Sequence, residues 1–195
     1  MSARVTAGDL IAALKRHHEP PASKPIGGML LTEIQAPDST RRADALWVPV
    51  STAERGTLVG YETKVTRADV VQELRDPMKA DAWEKYCSRW WLVVPDAALL
   101  DGLDVPDRWG VMTPPAASRR TMTVVRKAPR LEPRGDARSA LGTVLARLIY
   151  SGGTLDSKYA AALSAEKYYR DQLAVRDDEL RTLRLAELLK ARAGS

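Results

Sequence analysis

Arg41-Arg42-Ala43-Asp44 and Tyr61-Glu62-Thr63-Lys64 are the two stretches on which the fold turns. Ala43 to Val50 and Thr57 to Val65 each read as a strand, joined by the polar run Ser51 to Gly56. Successive side chains of a strand point to opposite faces. Leu58, Gly60, Glu62 and Lys64 therefore share one face, and Thr57, Val59, Tyr61, Thr63 and Val65 the other. Two short strands with a short polar connection predict an antiparallel hairpin. That pairing brings Asp44 beside Glu62 and Lys64, so two carboxylates and an ammonium converge on one sheet surface. Carboxylates on a mostly buried sheet are costly when unpaired. A divalent cation offsets the cost, and oxygen ligands suit Mg2+ or Mn2+. Such an ion generates hydroxide and neutralises phosphate charge. Lys64 would hold the attacking water or stabilise charge developing in the transition state. The bland alternative is a surface ion-pair cluster.

Working outward, Met29 to Ile34 reads as a preceding strand after Gly27-Gly28, with turn chemistry at Ala36-Pro37-Asp38-Ser39. Before it, Thr6 caps a helix with Leu10, Ile11 and Leu14 on its apolar face, stopped by Glu19-Pro20-Pro21. His17 and His18 close that helix, where a cation favours the dipole. After the hairpin, Thr66 and Asp69 predict a capped helix start, with Val70, Val71 and Leu74 as its stripe. Pro77 ends or kinks it, and a second helical piece runs to Tyr86 or Cys87. Trp90 to Val94 reads as a buried strand reached by a right-handed parallel crossover, with Trp90 and Trp91 on opposite faces. Trp109 to Met112 and Met122 to Val125 are further strand candidates.

Composition bounds the partners. The chain has 195 residues, 30 Lys+Arg against 25 Asp+Glu, and a formal net charge of +5. The excess is local. Residues 1–116 carry 14 basic and 16 acidic side chains, residues 117–138 carry seven and two, and residues 139–195 carry nine and seven. Clustered Arg and Lys is the footprint expected of a phosphate-backbone binder, and the alternative is a solvated basic loop. One cysteine, Cys87, excludes an intrachain disulfide framework and a multi-cysteine zinc site. Without a His partner it reads as a small buried residue. No N-terminal stretch has signal-peptide form, and the longest nearly uncharged run, Trp90 to Pro95, is far too short to cross a bilayer. These features predict a cytoplasmic protein with no membrane partner.

Asp44, a gap of about a strand and a loop, then Glu62-Thr63-Lys64 resembles the signature of the PD-(D/E)XK nuclease superfamily. The closer resemblance is to MmcB-like DNA repair proteins and related phage-encoded nucleases, over roughly residues 29–95, with a further match near Trp109-Gly110. It is carried by Thr32-Glu33-Ile34, Arg41-Arg42-Ala43-Asp44, Glu62-Thr63-Lys64-Val65-Thr66-Arg67-Ala68-Asp69, Lys79, Tyr86-Cys87 and Val93-Val94-Pro95. Ala43 stands where the family has its name-giving proline, and Ser88 where an Asp often follows Tyr-Cys.

The resemblance implies an α/β fold with a restriction-endonuclease-like αβββαβ core, a mixed sheet and, here, a C-terminal helical extension. It implies Asp44, Glu62 and Lys64 as catalytic residues. Asp44, Glu62, the Thr63 carbonyl and Glu33 would be ligands to Mg2+ or Mn2+. It implies DNA as partner, with RNA left open, and the host cytoplasm as location if the chain is phage-encoded. The candidate nucleic-acid contacts are Arg41, Arg42, Arg67, Lys79, Arg119, Arg120, Arg126 and Lys127. The alternative is a non-catalytic nucleic-acid-binding or protein-interaction module on the same scaffold.

The organisation expected is a nuclease-like domain at 1–127, a basic Pro/Gly-rich linker at 128–138, and a helical region at 139–195. That region divides into a helix from Ser139 to Tyr150 and a long helix from about Leu155 to Ala193. Leu173, Leu180, Leu183 and Leu188 of the latter would serve either a short coiled coil and self-association or docking of the helix on the body.

Overall fold

The structure is a computed structural model that describes residues 5–19, 27–50, 57–76, 79–116, 119–150 and 176. The long helix expected over Leu155 to Ala193, with its coiled-coil leucines, lies outside the described residues apart from Arg176.

Thr6 opens helix α1 (Ala7–His18) with a complete capping box: its hydroxyl accepts from the Asp9 amide, and the Asp9 carboxylate accepts from the Thr6 amide. Strands β1 (Gly28–Gln35), β2 (Arg42–Pro49) and β3 (Val59–Thr63) follow. Helices α2 (Arg67–Leu74) and α3 (Asp81–Glu84) lead to β4 (Arg89–Val93). A 3-10 turn (Ala97–Leu100), β5 (Trp109–Thr113), β6 (Thr123–Arg126) and α4 (Ala137–Tyr150) complete the order.

The strands form one six-stranded mixed sheet whose spatial order is the chain order, β1 to β6. The pairs β1–β2, β2–β3 and β5–β6 are antiparallel; β3–β4 and β4–β5 are parallel. The hairpin and the parallel return through α2 and α3 are thus as the hydrophobic pattern predicts. β3 is shorter at each end than the run Thr57 to Val65.

The two faces of the sheet carry separate cores. Leu46, Trp90, Leu92, Trp109 and Val111 pack with Val70, Trp83, Ala140 and Val144 from the helices after β3. Trp47, Tyr61, Trp91, Val93 and Met112 pack under Leu10, Ala13 and Leu14 of α1. Trp90 and Trp91 divide between these faces, and each lies across a glycine of the next strand. Gly60 pairs with Trp90 and Gly110 with Trp91. A Cβ at either glycine would overlap the indole. Glycine is thus required there by close approach rather than by a turn.

The stretch read as a linker is laid against this body. Leu131 donates its amide to the Ser88 carbonyl at 2.8 Å, and Arg134 and Gly135 donate to the Lys85 carbonyl at 2.7 and 2.8 Å. Helix α4 starts earlier than Ser139, because Asp136 caps it through the Ser139 amide at 2.9 Å.

Candidate metal and phosphate site

β2 and β3 set the central geometry. Their register pairs Ala45 with Tyr61 and Leu46 with Gly60, and continuing it by one residue places Asp44 opposite Glu62. The β1–β2 register likewise puts Glu33 opposite Asp44, between the pairs Thr32–Ala45 and Ile34–Ala43. Residues directly opposite in an antiparallel pair share a face. At this point the ladder gives way to a side chain: Asp44 Oδ2 accepts from the Thr63 amide at 2.7 Å and from its hydroxyl at 2.8 Å. Asp44 is thereby locked with one oxygen toward Thr63, and Oδ1 accepts no hydrogen bond from any described residue.

Lys64, just past β3, turns its ammonium back onto Glu62 Oε1 at 2.5 Å and onto Glu73 Oε2 of α2 at 3.1 Å. The Glu62 and Glu73 side chains are each 12% exposed and that of Lys64 17%, so the trio is screened from bulk water. Burial pushes the Glu62 carboxyl up to about 7; the Asp44 charge adds to this and the Lys64 charge opposes it. Burial works against the Lys64 ammonium, but Glu62 and Glu73 outweigh it and hold its pKa above the usual lysine value. Lys64 is accordingly a permanent cation and hydrogen-bond donor, unsuited to act as a base.

Asp44 and Glu62 form an all-oxygen pair of the kind that suits a hard divalent cation, and a cation would relieve the repulsion that raises the Glu62 pKa. Among the described residues no three His, Cys, Asp or Glu side chains gather closely enough to hold a metal ion. Glu33 therefore does not complete a trio with Asp44 and Glu62. It is exposed on an edge strand, with φ of +51°. Such left-handed backbone is uncommon outside glycine. The next residue is pinned: Trp83 Nε1–H donates to the Ile34 carbonyl at 2.8 Å.

The other candidates scatter. Arg41, Arg42 and Lys79 line a cleft of about 100 Å3 together with Glu62 and Glu73. Arg67 is committed to the Leu99 and Asp101 carbonyls at 2.9 and 2.8 Å, tying α2 to the 3-10 turn. Arg126 donates to the Trp109, Val105 and Pro106 carbonyls at 3.1, 3.0 and 2.7 Å, bracing the loop before β5. Arg120 reaches the Glu19 carbonyl at the end of α1, and Lys127 lines a cleft with His17 and His18 on the α1 side of the sheet. Arg119 is exposed beside Arg120. Of this set, Arg41, Arg42 and Lys79 adjoin the carboxylates. Arg120, Arg126 and Lys127 of the basic segment 117–138 instead brace a loop or lie with α1.

Two residues that the sequence reading passed over matter here. Glu73 lies one turn after Val70, which is wholly buried, so it shares that helix face and meets the sheet. An acid on an apolar stripe was the available signal. Trp83 was hidden in a four-residue helix too short to show a period.

The histidines depart from the dipole role. Burial, with the His17 charge adding, lowers the His18 pKa to about 3, and burial lowers that of His17. His18 stacks on Trp47 with ring centroids 4.0 Å apart and bonds Tyr61 Oη through Nε2 at 2.8 Å, while His17 Nδ1 accepts from the Met122 amide at 3.2 Å. Both are neutral docking residues. Cys87 is fully buried, and burial raises its thiol pKa well above the usual range, consistent with an inert thiol.

No protein-family model matches the chain, and no curated protein is similar to it. Among solved structures it is similar to a protein of unknown function from Silicibacter pomeroyi. That match is at 22% identity with a TM-score of 0.43, over 78% of this chain and 82% of the other. No helix among the described residues is long and apolar enough to cross a membrane.

Proposed function

We propose that this chain is a Mg2+- or Mn2+-dependent nuclease of the PD-(D/E)XK kind, hydrolysing DNA phosphodiester bonds in repair, recombination or phage DNA processing. The observation that carries the reading is the meeting of Asp44, Glu62 and Lys64 on one sheet face across the β2–β3 hairpin. The order α1-β1-β2-β3-α2-α3-β4, with β4 parallel to β3 and α2 and α3 together forming the crossover, supports a restriction-endonuclease-like αβββαβ core.

Asp44 and Glu62 would hold the ion, with the Thr63 carbonyl as a further ligand. When bound, the ion supplies a hydroxide nucleophile at neutral pH and neutralises phosphate charge. Thr63 orients Asp44 through two hydrogen bonds, so the ligand is fixed before substrate arrives. Lys64, kept protonated by Glu62 and Glu73, presents N–H donors where negative charge grows on the phosphate. Glu73 tethers the ammonium from the helix side and restricts where it can point. Purified protein should nick or degrade DNA with Mg2+ or Mn2+ and stop on EDTA addition. Asp44→Ala and Lys64→Ala should each abolish cleavage; activity surviving both overturns the mechanism.

A second reading has an observation of its own. Glu62 and Glu73 are both already ion-paired with Lys64, as in a structural ion-pair cluster. On that reading the chain is a binding module, and salt-sensitive DNA binding without metal-dependent cleavage is the expected result.

A further inference from the structure

The sheet ends on β1 and on β6, and its two edges are finished differently. An edge strand carries a row of backbone N–H and C=O groups with no neighbour, and proteins cover or distort such rows. On β1 the Thr32 carbonyl accepts from Arg147 of α4 at 3.0 Å, and the Ile34 carbonyl accepts from Trp83 Nε1–H at 2.8 Å. Left-handed Glu33 lies between them. On β6 no described side chain bonds the backbone of Thr123 to Arg126. Thr123, Val124 and Val125 are exposed and all β-branched, the residue type that suits a strand. Val124 is 51% exposed and Val125 49%. Val125 has no partner in β5, because the register shifts between Val111 and Met112. As the extra residue of a bulge it stands outside that ladder. Arg126, the one charge in the strand, is turned back onto the Trp109, Val105 and Pro106 carbonyls.

The chemistry of this edge selects its occupant. Its unpaired groups are both donors and acceptors, and another extended polypeptide satisfies both at the same spacing. A DNA backbone offers acceptors alone and would leave the carbonyls unmet. Charge narrows the choice further. From Pro114 to Leu131 the chain carries Arg119, Arg120, Arg126, Lys127 and Arg130 and no acidic residue. Val124 and Lys127 also stand in the wall of the cleft on the α1 face, where Arg89 is a further cation and no carboxylate is present. A second copy laid on β6 would set these like charges against each other, and the bulge also turns the edge away from flat self-pairing. Acidic side chains complement the same surface.

We propose that β6 is a docking edge for an extended acidic segment of another protein, which adds to the sheet as a further strand. It covers the exposed parts of Val124 and Val125, and its carboxylates face Lys127 and the arginines flanking β6. The inference is independent of the metal-site reading, which concerns β2 and β3.

The test uses the full chain, in EDTA, with a short fluorescent peptide that alternates Glu with Val. Its controls are a twin that alternates Lys with Val and a Glu/Val peptide N-methylated along its length. The Glu/Val peptide should bind saturably and slow amide hydrogen exchange at residues 123–126. The Lys/Val twin should bind at least roughly tenfold more weakly, since like charges then meet. The N-methylated peptide, stripped of its donors, should not bind. Val125→Asp alters a half-exposed side chain; it should leave tryptophan fluorescence unchanged and weaken the Glu/Val peptide roughly tenfold. Failure of the Glu/Val peptide to bind overturns the proposal. So does equal binding of either control, unchanged exchange in β6, or full affinity in Val125→Asp. A dimer in light scattering that Val125→Asp dissolves would assign the edge to a second copy. A single-stranded oligonucleotide that protects the same amides would assign it to nucleic acid. Either result also overturns the acidic-segment reading.

Discussion

Acid should loosen this protein through His18. The ring is held neutral between Trp47 and Tyr61, with its pKa lowered to about 3, whereas in the unfolded chain it returns to 6.5. Between these values the unfolded state binds the extra proton, so stability is intact above 6.5 and falls as the pH drops toward 3. At pH 5 the linkage relation gives a loss of about 2 kcal/mol, and the full loss is reached only below the folded value. The surroundings do not offset this. Of the groups lining the adjoining cleft, Arg89 and Lys127 are cations, His17 is itself pushed toward neutrality, and no carboxylate is among them. Urea unfolding of the full chain at pH 7.5, 6 and 5 should show the decline with an unchanged slope. In His18→Gln, which keeps a polar partner for Tyr61, the decline between pH 7.5 and 5 should shrink by about 2 kcal/mol although the variant is less stable at every pH. Parallel pH profiles for the two proteins would refute the reasoning.

Two further perturbations test the packing that places the site. Gly60→Ala adds a Cβ that overlaps the Trp90 ring across β3 and β4; it should cost at least about 1–3 kcal/mol in urea unfolding and alter tryptophan fluorescence. Glu84 is 3% exposed and joins α3 to Trp109 Nε1 at 2.8 Å and to Arg108 Nε at 2.5 Å. Arg108 is 40% exposed and can turn to water, so Glu84→Ala should lose mainly the buried indole bond and destabilise by about 1–3 kcal/mol.

The hairpin and its carboxylates were legible because they depend on local chemistry. A period of two assigns Glu62 and Lys64 to one face, and a polar break of hairpin length brings Asp44 across to them. The Thr66 cap was legible for the same reason: a hydroxyl three residues before an acid satisfies an exposed amide whatever surrounds it. Glu33 was not, since its left-handed backbone and exposure belong to an edge strand whose next residue, Ile34, is held by Trp83, 49 residues further along the chain. Nor was the fate of the basic cluster. Charge counting treats Arg126 as available to phosphate, whereas two carbonyls of the loop before β5 and one at the start of β5 already occupy it. A guanidinium has five donors and satisfies backbone as readily as an anion, so sequence density of arginine measures potential for phosphate binding without saying where that potential is spent.

Such partitioning also changes what the net charge means for function. Of the cations near the sequence motif, Arg67 braces α2, while Arg41, Arg42 and Lys79 remain unpaired with described residues and line the cleft with Glu62. The seven basic residues at 117–138 outnumber them, yet Arg126 is built into a loop, Arg134 pairs with Asp81 at 2.5 Å, and Lys127 lies with α1 on the other face of the sheet. Coulomb attraction beyond about 10 Å is screened at physiological salt. The whole basic segment would then draw a polyanion only weakly toward Glu62 from beyond that range, whereas Arg41, Arg42 and Lys79 lie beside it. On the nuclease reading proposed above, cleavage at Asp44 and Glu62 would depend on the cations within that range, so removing Arg41, Arg42 and Lys79 should impair it more than removing a larger number of charges from residues 117–138.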